Sequence, residues 1–596
     1  MEMTPLFGRG APAHDVPSLL EVKSLDVWYP NGQAVHGFDL AIGPNEVVAL
    51  VGESGCGKST VAAAIAGLLP ARARASGAIM FDGLDLARMP EPRLRDLRGS
   101  QIGMIFQEPM TSLNPVLTIG VQVAEVLRRH RKLGAAAARA RAIELLDLVR
   151  LPDPQRLVDD YPHKLSGGQR QRVMIAIAVA CEPRLLLADE PTTALDVTIQ
   201  AQVLELLASL RRQLSMSLLL ITHDLAVVGQ WADRVAVMQR GKKVEEGTRD
   251  AVFFAPRHRY SQGLIDASLQ IAPENHYTHL KLAEIRHSVD DASGEHSFSF
   301  TRPEPRVLVP DPQFPPALPP VLDVRNLVAG YSSRYGTISA VKDVSFCIGR
   351  GETLGLVGES GCGKSTLSKT IVGLNAAISG QVLLDGVDIA PLTGRALRPH
   401  RAKVQLVFQD PYASLNPRLR IGDMLDEVLV VQGVKDRRER AQRVRAMLDA
   451  VGLPAATGRR YPHEFSGGQR QRIGIARALV TRPQLLICDE PVSALDVSVR
   501  AQILNLFVDL KHEFGLSYLF ISHDLSVIDY MADRVMVMQQ GEAVEILPRA
   551  QLFAGAAHPY TRTLIAATPG WPQPRPPAPL TAQAPAPAPH RLARAG

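Results

Sequence analysis

The pattern of apolar and polar residues changes several times along this chain and then repeats. Leu20 to Trp28 alternates apolar and polar side chains, which predicts a strand with one buried face. Val47 to Val51 is a continuous apolar run, typical of a strand buried on both faces. Val61 to Leu69 has the small and apolar residues of a helix. The alternation of the first strand restarts at Leu322 to Val328, which suggests a second copy of the same unit.

A helical pattern interrupts each copy. The composition becomes helical between Gln107 and Leu165, where Ala135 to Val149 has the spacing of an amphipathic helix. The second copy shows the same shift from about Asp410 to Phe465. We therefore predict an α/β sheet domain that occurs twice and carries an all-helical insertion each time.

Three stretches lack a regular pattern. Residues 1–18 are rich in Pro, Gly and Ala, and residues 569–596 carry Pro-Ala and Pro-Arg repeats, so both are expected to be flexible. Residues 272–320 lose regularity and become dense in proline from Arg302 onward, which predicts an extended, semi-stiff tether. The remaining ranges, 19–271 and 321–568, are the two predicted domains.

Composition narrows the class of protein. At 596 residues the chain is too long for one core, and 46% hydrophobic with 21% charged residues is ordinary for a globular protein. No run approaches the ~18 consecutive apolar residues of a membrane span, and residues 1–17 lack the apolar core of a signal peptide. A cytoplasmic location is therefore expected. The formal net charge of +6 favours a solvated surface over a nucleic-acid groove.

The phrase Gly-Glu-Ser-Gly-Cys-Gly-Lys-Ser-Thr occurs twice and contains the pattern G-x-x-x-x-G-K-[ST]. In that pattern glycines turn backbone N–H groups onto phosphates, the lysine meets the β/γ charge, and the hydroxyl can bind Mg²⁺. The candidate nucleotide-binding residues are Gly52, Glu53, Ser54, Gly55, Cys56, Gly57, Lys58, Ser59 and Thr60, and Gly358, Glu359, Ser360, Gly361, Cys362, Gly363, Lys364, Ser365 and Thr366. Ser59 and Ser365 are also candidate magnesium ligands. Each loop cysteine is either a small residue tolerated at a free position or a redox switch.

Further motifs recur at nearly constant spacing. Lys364 lies 306 residues after Lys58, and Glu490 lies 300 residues after Glu190. The other repeated segments are Ser166 to Arg172 and Ser466 to Arg472, Leu185 to Pro191 and Leu485 to Pro491, and the Ala-Leu-Asp segments Ala194 to Asp196 and Ala494 to Asp496. Such spacing indicates a duplicated domain with small changes in its loops.

An apolar run ends in Asp-Glu in each copy. The carboxylates of a buried parallel strand would reach the carboxyl edge of the sheet, beside the phosphate loop. There Asp189 or Asp489 can hold Mg²⁺ through water, and Glu190 or Glu490 can polarise the attacking water. An acidic loop start or helix cap would explain one such pair but not two in the same order.

A glutamine and a histidine also follow apolar runs in both copies. Gln107 and Gln409 open the helical insertions and can reach Mg²⁺ and the attacking water. His223 and His523 are expected to lie at the same sheet edge and to contact the γ-phosphate. One such residue would more often be a surface glutamine or a structural histidine, but both recur at equivalent positions.

Ser-Gly-Gly-Gln precedes a predicted helix in each copy, and the bare N–H groups at a helix N-terminus form an anion site. These residues are Ser166, Gly167, Gly168 and Gln169, and Ser466, Gly467, Gly468 and Gln469. A second anion site within one copy would be redundant. The redundancy disappears if the copies face each other head to tail, with each nucleotide between the phosphate loop of one and the Ser-Gly-Gly-Gln of the other.

In this order, the phosphate loop, Gln, Ser-Gly-Gly-Gln, Asp-Glu, Ala-Leu-Asp and His resemble the ATPase subunits of ATP-binding-cassette (ABC) transporters. The resemblance covers almost all of both copies. It implies an α/β fold of two tandem P-loop ABC ATPase domains, each with a RecA-like parallel-sheet core, an antiparallel β subdomain and a helical insertion. It also implies that Tyr29 and Tyr331 stack on adenine and that Asp196 and Asp496 belong to the nucleotide sites. No Asn/Thr-Lys-x-Asp guanine motif is present, which agrees with ATP over GTP.

Two further segments are similar to one subfamily. Gln107 to Pro115 and Gln409 to Pro417 look like the oligopeptide, dipeptide and nickel importers, which carry Ser-Leu-Asn-Pro after the glutamine. His558 to Leu564, echoed by His258 to Ser261, is similar to that subfamily's C-terminal signature.

Differences between the copies identify the two halves. Val173 to Ala176 resembles the D-type ATPase of that subfamily and Ile473 to Arg477 the F-type, so the chain has the sequence of both ATPases fused. Phe465 replaces the usual leucine before the second Ser-Gly-Gly-Gln, which is a conservative change. All five cysteines lie before the C-terminal signature and form no C-x-x-C pair, so we expect no iron–sulfur cluster.

The resemblance implies the ATP-hydrolysing subunit of an importer for peptides or peptide-like small molecules, with nickel and glutathione-type substrates as alternatives. Its expected ligands are ATP and Mg²⁺, and its expected partners are two transmembrane permeases and an extracytoplasmic substrate-binding protein, with no nucleic acid. The expected location is the cytoplasmic face of the inner membrane, with the helical insertions contacting the permeases. The alternative is a tandem cassette ATPase that acts on ribosomes, although such proteins usually have a charged helical linker. DNA-repair cassettes would carry zinc cysteine pairs or long coiled coils, which are absent from the sequence.

Overall fold

The computed structural model describes residues 18–193, 195–289, 296–301, 319–333, 336–493 and 495–573. Two units with the same order of elements follow each other along the chain. Ala194, Ala494, most of the proline-dense part of the expected tether and most of the two expected flexible ends lie outside the described residues.

Each unit has an antiparallel sheet and a mostly parallel sheet. In the first unit the antiparallel sheet has the order β2-β1-β4-β5, and the larger sheet has the order β10-β9-β3-β8-β7-β6. Its strands are β1 Leu20–Tyr29, β2 Gly32–Ile42, β3 Val47–Val51, β4 Arg74–Phe81, β5 Leu84–Asp85, β6 Ile102–Ile105, β7 Leu185–Asp189, β8 Ser217–Ile221, β9 Arg234–Gln239 and β10 Lys242–Thr248. A hairpin of β11 Glu284–Val289 and β12 His296–Thr301 follows.

The second unit repeats this topology, with the orders β14-β13-β16-β17 and β18-β19-β20-β15-β21-β22. Its strands are β13 Leu322–Ser333, β14 Gly336–Ile348, β15 Thr353–Val357, β16 Ala377–Leu384, β17 Val387–Asp388, β18 Val404–Val407, β19 Leu485–Asp489, β20 Ser517–Ile521, β21 Arg534–Gln539 and β22 Glu542–Pro548. The expected antiparallel subdomain and parallel core are therefore present in both halves.

The helices also correspond between the halves. Those of the first half are α1 Lys58–Ile65, α2 Glu91–Leu97, α3 Pro109–Ser112, α4 Ile119–His130, α5 Ala135–Leu148, α6 Pro154–Leu157, α7 Gly167–Val179, α8 Val197–Leu214, α9 Leu225–Trp231, α10 Arg249–Phe254 and α11 Arg259–Asp266. Those of the second half are α12 Lys364–Ile371, α13 Gly394–Arg401, α14 Pro411–Ser414, α15 Ile421–Val431, α16 Arg437–Ala450, α17 Gly467–Leu479, α18 Val497–Phe514, α19 Leu525–Met531, α20 Leu552–Gly555 and α21 Pro559–Ala567. Short 3₁₀ turns connect several of them, at Leu86–Arg88, Pro162–Lys164, Pro273–Asn275, Ala455–Arg459, Pro462–Glu464 and Arg549–Gln551.

The central strands of the larger sheets are buried on both faces. All five residues of β3 are buried, and β3 pairs in parallel with β8 and β9. The strands β7, β8, β19 and β20 are likewise buried at every position. Parallel strands of this kind end at one edge of the sheet, so the loops after β3, β6, β7 and β8 meet there.

The helical insertions share their hydrophobic cores with the sheet domains. Thr118 caps α4 by accepting a hydrogen bond from the Val121 backbone N–H, and α4 packs with α5 and α7. Leu113 and Leu415, in the Ser-Leu-Asn-Pro segments, are each only 3% exposed. These leucines therefore hold the insertions together and are not available to a partner, whereas Val116 beside them is 75% exposed.

The first part of the expected tether is ordered and crosses from the first half onto the second. We call residues 272–285 the first arm. Arg549 donates a hydrogen bond to the Ala272 carbonyl at 2.9 Å, and the Tyr277 backbone N–H donates to the Tyr530 carbonyl at 3.0 Å. These residues were expected to be irregular because they have no periodic sequence pattern. Their order comes instead from contacts with the second half, which the sequence pattern does not show.

Polar side chains of the second half pair with the first arm. Asn505 accepts from the Leu282 N–H at 2.9 Å and donates to the Leu282 carbonyl at 2.8 Å, as a neighbouring strand would. Lys511 donates to the Tyr277 hydroxyl at 2.6 Å, and that hydroxyl donates to Asp533 at 2.8 Å. Burial lowers the pKa of Lys511, and the nearby Asp533 carboxylate opposes that shift.

A shorter second arm, residues 571–573, crosses in the opposite direction onto the first half. The Trp571 ring packs edge-on against Phe253 at 5.6 Å between ring centroids. Arg249 donates to the Gln573 carbonyl at 2.9 Å, as Arg549 does to Ala272 in the other half. The halves are therefore held by a reciprocal exchange of their C-terminal segments, and the described start of the expected flexible tail is packed.

This exchange predicts that the halves stay together without a covalent link. With a specific protease site inserted between residues 310 and 311, the cut chain is expected to elute as one species in nucleotide-free buffer. Asn505→Leu removes both hydrogen bonds to Leu282, at a cost of about 1–3 kcal/mol for each group left unpaired, and should increase dissociation of the cut halves. Size-exclusion chromatography across a dilution series measures this.

The matched control is Glu205→Leu, at the equivalent position of the first half, where Glu205 makes only an exposed ion pair with Arg150. It should leave association unchanged. Complete separation of the cut wild-type halves without nucleotide would contradict the prediction.

Candidate nucleotide site

The two phosphate loops have the same conformation. Gly52, Gly55 and Gly57 adopt positive φ values of 152°, 77° and 102°. At Gly52 an added Cβ would lie 2.1 Å from the Met238 carbonyl oxygen, so only glycine fits. Lys58, 5% exposed, donates from Nζ to the carbonyls of Gly52 and Glu53, both at 2.8 Å. Its ammonium group is thereby held inside the loop at the start of α1.

The second loop repeats these contacts. Lys364 donates to the Gly358 and Glu359 carbonyls at 2.7 and 2.9 Å. Burial raises the pKa of Cys56 and Cys362, and the neighbouring lysines only partly oppose it. Both thiols therefore stay protonated near neutral pH, which favours the small-residue interpretation over a redox switch.

The loop serines lie beside the first carboxylate of each Asp-Glu pair. Ser59 Oγ donates to Asp189 Oδ1 at 3.1 Å, and Ser365 Oγ donates to Asp489 Oδ1 at 3.3 Å. Burial, with a smaller contribution from the adjacent glutamate, raises the pKa of both aspartates. A hydroxyl and a carboxylate at this distance are hard oxygen donors that fit a magnesium ion.

Glu190 and Glu490 follow β7 and β19 in the left-handed backbone region, each with φ of 48°. Gln107 Nε2 donates to Glu190 Oε2 at 2.9 Å, and Gln409 Nε2 donates to Glu490 Oε2 at the same distance. The structure therefore brings the sequence-predicted glutamine and glutamate of each half together.

The histidines complete this cluster. His223 Nδ1 lies 3.3 Å from Glu190 Oε1, and His523 Nδ1 lies 3.1 Å from Glu490 Oε2. Burial alone would raise the pKa of Glu190, but the hydrogen bond and charge of His223, with the Thr193 hydroxyl, lower it to about 2. The pKa of Glu490 is also lowered, by His523 against burial. Both glutamates are therefore ionised at neutral pH and can accept a hydrogen bond from water.

Thr193 is a contact that the sequence did not reveal. Its hydroxyl donates to Glu190 Oε2 at 2.8 Å. At the equivalent position, Ser493 donates to the backbone carbonyl of Glu490 at 3.2 Å. The first glutamate is therefore held by one more side chain than the second.

Ser-Gly-Gly-Gln forms a complete capping box in each half. Ser166 Oγ accepts from the Gln169 N–H at 3.3 Å, and Gln169 Oε1 accepts from the Ser166 N–H at 3.0 Å. Ser466 and Gln469 do the same at 3.4 and 3.1 Å. The helices begin at Gly167 and Gly467, so they include most of the Ser-Gly-Gly-Gln segment that was expected to precede them.

The halves meet through the aspartates of the Ala-Leu-Asp segments. Asp196 Oδ2 accepts from the Ser360 N–H, and Asp496 Oδ2 accepts from the Ser54 N–H, both at 3.4 Å. Ser498 also donates to Glu53 Oε1 at 2.6 Å. Each phosphate loop thus contacts an aspartate of the opposite half. The expected placement of Ser-Gly-Gly-Gln across from the opposite phosphate loop stays a prediction.

The tyrosines expected to stack on adenine lie next to the phosphate-loop helices. The hydroxyls of Tyr29 and Thr60 are 3.4 Å apart, and those of Tyr331 and Thr366 are 3.0 Å apart. Tyr331 is 49% exposed, which leaves its ring accessible. Two other tyrosines, Tyr260 and Tyr560, accept hydrogen bonds from the phosphate loops. The sequence marked them only as part of the C-terminal signature.

Within the described ranges, no group of three or more His, Cys, Asp or Glu side chains is arranged to hold a metal. The expectation of no iron–sulfur cluster stays a prediction. No helix among the described residues is both long and apolar enough to cross a bilayer.

Known protein families match the residue ranges that contain these sites. Residues 35–193 and 341–493 match the ABC transporter family model, and residues 244–299 and 544–593 match the C-terminal region of oligopeptide/dipeptide transporters. The chain belongs to the ABC transporter family, as an ATP-hydrolysing subunit with two ATP-binding cassettes. It is the energy-coupling ATPase of a peptide-type importer, and no comparison supports the ribosomal alternative.

The similarity extends over nearly the whole chain. The glutathione import ATP-binding protein GsiA of Pectobacterium atrosepticum is 46% identical over 574 residues, which cover 92% of this chain and 89% of that protein. The protein of the same name from Escherichia coli K12 is 44% identical over 576 residues, with 93% and 90% covered.

Two solved structures of ATP-binding cassettes each cover about two fifths of this chain. A dimeric ATP-binding cassette in a post-hydrolysis state, bound to ADP and Pi, is 29% identical and covers 38% of this chain and 98% of its own, with a TM-score of 0.36. The structure of cbiO1 from Clostridium perfringens, part of the ABC transporter complex cbiONQ, is 30% identical and covers 40% of this chain and 91% of its own, also with a TM-score of 0.36.

The glutamine and histidine contacts that both glutamates share predict that both sites hydrolyse ATP. Glu190→Gln and Glu490→Gln, made singly, should each lower steady-state ATPase by ~10²-fold or more, as expected for loss of a positioned base. A single substitution suffices because both sites share one interface, so a stalled site keeps the other from reopening. Glu205→Gln, at an exposed glutamate, is the control and should leave turnover unchanged. Normal turnover in either site variant would show that its glutamate is not needed.

Proposed function

We propose that this chain powers the uptake of glutathione or a closely related short peptide. The observation that carries the proposal is the similarity to glutathione import ATP-binding proteins, which spans 92% of this chain and 89% of the relative. Both halves also keep the full set of phosphate-loop, carboxylate, glutamine and histidine residues, so neither site has lost its chemistry. The proposed partners are two permeases and an extracytoplasmic binding protein, and the proposed location is the cytoplasmic face of the inner membrane.

In this proposal each ATP lies between the phosphate loop of one half and the Ser-Gly-Gly-Gln of the other. Lys58 and Lys364 leave their carbonyl partners to meet the β- and γ-phosphates. Glu190 and Glu490 orient the attacking water, and His223 and His523 contact the γ-phosphate. Tyr29 and Tyr331 stack on adenine, and Asp196 and Asp496 join the halves.

Ser59, Gln107 and Asp189 would hold Mg²⁺ in the first site, and Ser365, Gln409 and Asp489 in the second. The ion would neutralise charge on the β- and γ-phosphate oxygens. Because Gln107 and Gln409 contact the catalytic glutamates and open the insertions, they are suited to report the state of the site to a permease.

The head-to-tail arrangement predicts a specific cross-link. In a chain whose native cysteines are replaced, Ser54→Cys and Gly467→Cys should cross-link more readily with ATP and vanadate than without nucleotide. Both positions are exposed, and a Cβ at Gly467 meets no atom within 4 Å. Gly468 is unsuitable because its added Cβ would lie 2.4 Å from Val499. The pair Ser54→Cys and Gly167→Cys, within one half, is the control, and its preferential cross-linking would reverse the arrangement.

The permease contact predicts uncoupling by surface variants. Val116→Asp places a charge on an exposed residue of the first insertion, and Arg418→Asp reverses one at the equivalent position of the second. Both should keep the ATPase of the isolated protein near wild type while lowering uptake of labelled glutathione in cells at least about ten-fold. Leu84→Asp, at a 48% exposed residue of the antiparallel sheet, is the control.

Normal uptake in both insertion variants would contradict the contact, and failure of the wild-type chain to support glutathione uptake would contradict the substrate class.

A further inference from the structure

The C-terminal signature tyrosine of each half lies against the phosphate loop of the same half. The Glu53 backbone N–H donates to the Tyr260 hydroxyl at 3.2 Å, and the Glu359 N–H donates to the Tyr560 hydroxyl at 3.0 Å. Tyr260 is 0% and Tyr560 is 8% exposed. The same contact is therefore built twice, from residues 207 and 201 positions away along the chain.

The rest of the signature fixes the direction of each tyrosine. His258 Nδ1 accepts from the Tyr260 N–H at 3.2 Å and so caps α11, and His558 caps α21 through the Tyr560 N–H at the same distance. The Glu245 carboxylate accepts from the N–H groups of residues 257 and 258, and Glu545 accepts from those of residues 557 and 558. The start of each helix is thus held by the histidine cap and by the glutamate that accepts from the two N–H groups before the tyrosine. This leaves the tyrosine ring little freedom to move.

The opposite half touches each phosphate loop at or next to the glutamate that the tyrosine holds. Glu53 Oε1 accepts from Ser498, and the next residue, Ser54, donates its N–H to Asp496. In the second loop, Ser360 follows Glu359 and donates its N–H to Asp196. The tyrosine therefore holds the entry of the phosphate loop in a position that meets the other half.

We propose that Tyr260 and Tyr560 are positioning residues, which hold the phosphate loops in the shape that binds ATP and so join the C-terminal signature to the nucleotide sites. Without the hydroxyl, the Glu53 or Glu359 N–H loses its acceptor and the loop entry can turn away from its position. The loop must then be ordered when ATP binds, which weakens binding more than it slows the chemical step.

The first tyrosine is linked further, to the first arm. Phe298 of the hairpin packs edge-on against the Tyr260 ring at 6.2 Å between centroids, and Ile285 accepts from Gln502 of the second half at 2.7 Å. Tyr260 thus lies between its own phosphate loop and a segment that is fixed to the opposite half. We expect its loss to have the larger effect of the two.

The inference rests on the proposed nucleotide sites, so its test distinguishes a failure of the inference from a failure of those sites. In the otherwise unchanged chain, Tyr260→Phe should raise the KM for MgATP about five-fold to ten-fold with a change in kcat of less than about two-fold, a size typical of one lost hydrogen bond. Tyr560→Phe should show a smaller rise. Equilibrium binding of a fluorescent ATP analogue to the double Glu→Gln chain, with and without each tyrosine change, gives affinity independently of turnover.

Tyr518→Phe is the matched control, because it removes a buried hydroxyl that donates to the Phe507 carbonyl and touches neither loop. It should lower the unfolding temperature without changing the KM. An unchanged KM and analogue affinity in Tyr260→Phe would overturn the inference, as would a loss of stability and activity no different from that of Tyr518→Phe. If the wild-type chain bound no analogue at all, the proposed nucleotide sites themselves would be wrong.

Discussion

Each phosphate loop of this chain is completed by a carboxylate from the opposite half. Asp196 uses one oxygen to cap its own helix through the Ile199 N–H and the other to accept from Ser360 across the interface. Asp496 does the same with Val499 and Ser54. One side chain therefore fixes the start of a helix in its own half and the approach of the opposite loop. A displacement of one phosphate loop is therefore transmitted to the other, because Asp196 and Asp496 lie in the same interface between the halves.

The second constraint is the burial of ionised groups at the sheet edge. A buried carboxylate needs hydrogen-bond donors, and Glu190 has three: Gln107, Thr193 and His223. Glu490 finds a glutamine and a histidine, while Ser493 turns its hydroxyl to the backbone. The two halves thus carry the same proposed catalytic residues but support them differently. A duplicated sequence does not guarantee two chemically equal sites.

Much of the fold and most of the site followed from repeated local patterns. Val47 to Val51 predicted a buried strand with the observed bounds, and Ala135 to Val149 predicted a helix that ends one residue earlier, at Leu148. The clustering of the glutamine, glutamate and histidine could be predicted because each follows an apolar strand, and parallel strands bring their ends to one edge.

The arms and the supporting side chains could not be found in this way. Residues 272–285 have no period of their own, since their order comes from partners such as Asn505 and Lys511 more than two hundred residues away. Thr193 and Ser493 look interchangeable in sequence, and only their rotamers and neighbours separate their roles. Leu113 and Leu415 belong to the insertions, which were expected to contact the permeases, but both side chains are buried in the hydrophobic core.

The exchange of arms changes the thermodynamics of closure. Two separate cassettes would lose translational and rotational entropy each time ATP brought them together. Here Arg549 and Arg249 bind the backbone of segments from the opposite half, so the halves stay at a high effective concentration of each other. The free energy of ATP binding is then available for moving the insertions against a membrane partner, because it does not have to offset the entropy cost of bringing the two cassettes together.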